Sequence, residues 1–126
     1  KGLADFYIHL GVDEMFIAGG LWYPSSDKLK RLRQEIDYEG KEINEILNEP
    51  HFKQHFELYQ EDKLINAPKG YSADHPNIDL LKLKSLAAFR QMERKDFLSD
   101  GFSALVIDSY QTILPLLDFT NRAIVD

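Results

Sequence analysis

An α+β fold is predicted by two observations: the chain opens on two strand-like runs around a turn signal, and helical spacing then dominates most of the remaining sequence. The runs, "LADFYIHLG" and "EMFIAGGLWY", are rich in aromatic and β-branched residues and are separated by Gly11-Val12-Asp13. They form an N-terminal β-hairpin over residues 4 to 10 and 14 to 23, and a third strand is expected at about 85 to 91. The predicted sheet is antiparallel or mixed, packed by short helices and a long C-terminal helix.

In the first strand Phe6, Ile8 and Leu10 fall on one face and Tyr7 and His9 on the other; in the second, Ile17 and Leu21 alternate with Phe16 and Trp22. Apolar side chains on both faces predict interior strands with helices on at least one side. Gly19 and Gly20 offer no side chain to pack, which points to a bulge first and to the close approach of a backbone or ligand second.

After "YPSSD" the period changes. Ser25 or Ser26 is a suitable N-cap, and Leu29, Leu32 and Ile36 share the face of a helix running to about Asp37. Gly40 interrupts it, and a second helix carrying Ile43, Ile46 and Leu47 stops at Asn48-Glu49-Pro50. "PHFKQHFEL" has proline where a first turn tolerates it and reads as a third helix. "NIDLLKLK" is helical, "SLAAFRQM" is the strand leaving it, and Phe102, Leu105, Val106, Ile113, Leu116 and Leu117 trace the C-terminal helix. Pro115 removes one backbone donor there, a place where such a helix can kink.

At 126 residues and 44% hydrophobic content, the chain fits one domain, residues 1–126, able to bury a core without disulfides. It has no cysteine, which excludes thiolate metal sites and thiol nucleophiles. With no membrane-length apolar run and no basic-then-apolar leader, a cytoplasmic location is the default expectation. The net charge of −6 argues against nucleic acid and anionic membranes as partners. That charge is uneven: residues 63 to 95 carry seven Lys or Arg against three Asp or Glu, whereas residues 1 to 62 carry seven against thirteen.

Candidate chemistry is sparse. His51 and His55 stand four residues apart, as in some zinc helices, but position 52 is phenylalanine and no third ligand is evident, so no metal and no cofactor are expected. Carboxylate pairs such as Glu42 and Glu45 read as solvated helix faces. The decapeptide "APKGYSADHP", Ala67 to Pro76, lies inside the basic segment. Pro68 stiffens it, Gly70 permits positive φ, and Asp74 or His75 occupies an N-cap position before a helix starting at Pro76. First-turn N–H groups there would face an anion beside Lys69 and His75, with Lys84 eight residues beyond Pro76. The plainer reading is that Asp74 caps the helix, His75 bonds a buried carbonyl and Tyr71 plugs the core.

The order "YIHLG", "EMFIAGGLWYPSSDKLKRLRQEI", "ILNEPHFKQHF", "APKGYSADHPNIDLLKLKSL" and "LPLLDFTNRAI" resembles the bacterial family called domain of unknown function 2461 across nearly the whole chain. Its most distinctive parts here are Gly19 to Pro24, Arg33 and the Pro68-Lys69-Gly70-Tyr71 to His75-Pro76 loop with Lys84 after it. The resemblance implies a further N-terminal segment, making this the C-terminal part of a larger domain, and it implies no assigned activity. Two readings stay open. One is a small anionic-ligand binding domain using Arg33, Lys69, Gly70, His75 and Lys84. The alternative is a protein-protein or self-association module that docks through Trp22, Tyr23 and Tyr71, a homo-oligomer included. Whether any catalysis occurs is left open, since His75 has no nucleophile beside it.

Overall fold

The structure, a computed structural model, describes residues 3–125. Two strands, β1 (Asp5–Leu10) and β2 (Met15–Leu21), form the hairpin, and α1 (Ser26–Tyr38), α2 (Gly40–Asn48) and α3 (Pro50–His55) come after it. Next are β3 (Glu57–Leu58), α4 (Ile78–Leu81), β4 (Leu86–Met92), α5 (Arg94–Phe97) and α6 (Phe102–Ile124). The four strands lie in the order β1-β2-β4-β3 and every neighbouring pair is antiparallel. The α+β expectation holds, with the hairpin and long C-terminal helix in place.

The helix boundaries reflect local chemistry. Ser25 caps α1, its hydroxyl accepting from Lys28 N–H at 3.3 Å. Glu49 caps α3 by accepting from the N–H groups of His51 and Phe52, with Pro50 in the first turn. α3 ends at His55, earlier than expected, because Phe56 turns extended and the next two residues pair with β4. Pro115 sits inside α6, which continues past it to Ile124.

α6 packs along one face of the sheet. Ile113, Leu116, Leu117 and Phe119 join Leu21, Leu86 and Ala88 of the strands and Leu32, Ile36 and Ile43 of α1 and α2 in the main core. Phe102, Leu105 and Val106 cover Met15, Ile17 and Met92 in a second cluster. The face opposite α6 carries Tyr7, His9, Phe16, Trp22, Phe89 and Gln91, all exposed or half-exposed. β2 is interior as expected; β1 is an edge strand, because β2 turns its other side to β4.

The bulge expected at Gly19-Gly20 is absent. Pairing runs one to one through both residues, Gly19 opposite Ala88 and Gly20 opposite Ala87. A Cβ on Gly20 would stand 2.3 Å from Ala87 Cα, and its φ of 138° suits glycine; a Cβ on Gly19 would stand 2.8 Å from Ile113 Cδ1. The glycines therefore let β4 and α6 close on β2, the close-approach use of a strand glycine.

Candidate functional site

Alternation along three strands builds the open face. β2 places Phe16 and Ala18 outward, β1 sets Tyr7 beside Ala18, and β4 sets Phe89 on its other side. Trp22 and Tyr59, just beyond the ends of β2 and β3, close one end with ring centroids 4.8 Å apart. Tyr7, Phe16, Phe89, Trp22 and Tyr59, together with Glu14, Glu57 and Glu61, line a hollow of about 560 Å³, a volume typical of small-molecule sites.

The rings stand as walls. Tyr7 meets Phe16 at 69° and Trp22 at 57°, and Trp22 meets Tyr59 at 65°. Tyr59 also shares a hydrogen bond with the Tyr23 hydroxyl. That bond, aided by burial and by the charges of Asp62 and Glu61, pushes the Tyr59 phenol up to about 12. Burial raises the Tyr7 phenol as well. Both phenols remain neutral donors and acceptors at physiological pH. The Trp22 indole N–H is buried without a hydrogen-bond partner among the described residues.

The five residues expected to bind an anion are placed differently. Arg33 turns its fork inward, Nε donating to Leu81 O at 2.8 Å and Nη2 to Leu83 O at 3.3 Å. Leu81 is the last residue of α4, where a helix leaves carbonyl acceptors unpaired, and Leu83 lies two residues beyond it. Burial draws the Arg33 guanidinium below its ordinary value, with Tyr71 opposing. Lys69 shares with Arg33, Lys30 and Tyr71 a hollow of about 190 Å³. Gly70 takes φ of 94° with open space around it. His75 and Lys84 lie outside that hollow. His75 is bonded to Asp37 and to the Asn77 N–H, and Lys84 is exposed just before β4. The helix expected at Pro76 begins at Ile78 instead, spans four residues and has no side-chain cap, because His75 accepts the Asn77 N–H and 72–77 form turns. The basic segment is dispersed: Lys63 pairs with Asp79, Arg90 with Asp108 and Lys95 with Glu93.

A family model described as "Conserved hypothetical protein (DUF2461)" matches residues 1–119. The chain belongs to the DUF2461 family. Comparison with curated proteins and with solved structures returns no match. As a DUF2461 member it is a domain of unknown function. Among the described residues no helix is long and apolar enough to cross a membrane.

A second polar cluster of this DUF2461 chain joins α3, β4 and α6. His51 Nε2 lies 2.9 Å from Asp108 Oδ2, Arg90 Nη1 donates to the same carboxylate at 3.1 Å, and the His51 and His55 rings are 4.5 Å apart. Ser109 accepts from Arg90 and donates to Leu105 O, so its proton is committed to a carbonyl. Among the described residues no group of three His, Asp or Glu is disposed to hold a metal.

Strand alternation puts Tyr7, Phe16 and Trp22 on the correct faces but assigns them no site. The missing information is pairing: Phe89 joins them only because β4 lies beside β2, and β3, two residues long, has no pattern to read.

Proposed function

We propose that this chain is a ligand-binding domain whose site is the hollow on the open face of the sheet. The observation that carries this reading is the convergence of Tyr7, Phe16, Phe89, Trp22 and Tyr59 from three strands and their margins onto one concavity of about 560 Å³. Aromatic walls with a few polar groups at the rim are the composition of small-molecule sites.

Trp22 is the only tryptophan, so its emission reports on this site directly. A fragment screen read by Trp22 fluorescence and by amide chemical shifts is expected to find binders that perturb β2, β4 and residues 59–61. Phe89→Ala should weaken them. Binders that map elsewhere, or that ignore Phe16→Ala and Phe89→Ala, would reject the site.

A second reading keeps an anion site for the smaller hollow, because Lys30, Arg33 and Lys69 all line it. Inorganic phosphate should then shift the amides of 26–33 and 69–71, and Lys69→Ala should abolish that response. A phosphate titration that leaves these amides still would remove the anion reading.

A further inference from the structure

The charges around the large hollow narrow its ligand. Three carboxylates, Glu14, Glu57 and Glu61, stand among its lining residues, and none of those residues is Lys or Arg. Beyond Glu61, both Asp62 carboxylate oxygens are buried without a hydrogen-bond partner among the described residues. These carboxylates make the potential of the hollow negative, and a negative concavity concentrates cations.

The rings select the shape. Parallel rings would make a slot for a flat heterocycle; these neighbouring rings are instead inclined at 57° to 69° to one another, which suits a rounded group better than a flat one. Aromatic faces carry negative quadrupole density, and a desolvated ammonium group among several of them gains attraction from each. A rounded cation fits both the field and the shape.

Resting on the proposed site, we infer that its ligand is a small organic ammonium compound, its cationic head held among Tyr7, Trp22 and Tyr59 and countered by Glu57 and Glu61. A flat anionic metabolite would meet carboxylates at the rim. A neutral apolar ligand would keep the ring contacts and lose the electrostatic ones.

The test compares choline with 3,3-dimethylbutan-1-ol, its neutral carbon isostere, on the full chain, monitored by Trp22 emission and amide shifts. Choline should perturb β2, β4 and residues 59–61 and bind about tenfold more tightly than the isostere, a ratio that added salt reduces. The Glu57→Gln, Glu61→Gln double variant, checked as folded by its amide spectrum, should lose that ratio. Equal binding of the two probes overturns the cation inference and leaves the site standing. Silence toward both probes, while fragments still bind, does the same. Perturbation of these amides by protein concentration instead of choline would mean that a second copy occupies the face, and would overturn it too.

Discussion

His75 and Asp37, 38 residues apart, meet at 2.5 Å: imidazole Nε2–H donates to the carboxylate while Nδ1 accepts the Asn77 N–H at 2.9 Å. The backbone donor fixes Nδ1 as the acceptor and so fixes the tautomer. This clamp ties the loop before α4 to the end of α1. His75→Ala should therefore cost about 1–2 kcal/mol of stability, measured by urea unfolding, and leave fragment binding at the open sheet face unchanged. Loss of that binding with stability intact would assign His75 to a site instead.

Gly20 and Gly70 both have positive φ, yet they should respond differently to alanine. At Gly70, with φ of 94° and nothing within 4 Å of a new Cβ, only backbone strain arises, about 1 kcal/mol. At Gly20 the Cβ would stand 2.4 Å from Leu86 O and 2.3 Å from Ala87 Cα, so β2 and β4 must separate. Gly20→Ala should cost about 3 kcal/mol or more, or prevent folding. Similar unfolding midpoints for the two variants would contradict the pairing described.

Acid should destabilise the chain in two stages. The His55 imidazole is held below its ordinary value chiefly by burial, with Arg90 and His51 adding and Asp108 opposing. The folded state thus resists its protonation, and stability should decline as pH drops below about 6.5, the unfolded value. The Asp108 carboxyl is depressed chiefly by its bond to His51, with Arg90 assisting and burial opposing. Its contribution is complete above about pH 4 and is lost as pH falls through the folded value. Glu49, lowered by the N–H groups it caps, has the same sign. Urea midpoints from pH 8 to 3 should show both stages, His55→Gln flattening the upper and Asp108→Asn the lower. A midpoint unchanged between pH 7 and 5 would refute the upper stage.

Arg122 near the end of α6 forks between Glu35 of α1 at 2.9 Å and Glu42 of α2 at 2.7 Å, with its guanidinium carbon 5.2 Å from the Phe119 ring centroid. These bonds raise the Arg122 pKa and lower that of Glu42. Half of the Arg122 side chain is exposed, so solvent screens the pairs. Arg122→Lys keeps the charge but loses the fork, and should cost about 0.5–1 kcal/mol at low salt and less at high salt. Equal loss at both salt concentrations would point to packing against Phe119 instead.

Local pattern was sufficient for much of this fold. Alternation gave the two hairpin strands and their faces, the Ser25-Ser26 pair gave the start of α1 without saying which serine caps it, Pro50 gave that of α3, and the apolar spacing from Phe102 gave α6. The family resemblance was legible in ordered motifs and agrees with the family match. Each of these signals lies within a few residues of sequence, where backbone preference and side-chain period act. Pairing across long separations decided the rest. Only the placement of β4 beside β2 brings Phe89 to Tyr7 and Phe16, and only the closeness of α1 to α4 commits Arg33 to Leu81 and Leu83 carbonyls. A cationic side chain in a string of letters is a free charge; in the folded chain, unpaired carbonyls and carboxylates compete for it, and the chain's own acceptors hold Arg33 and Arg90.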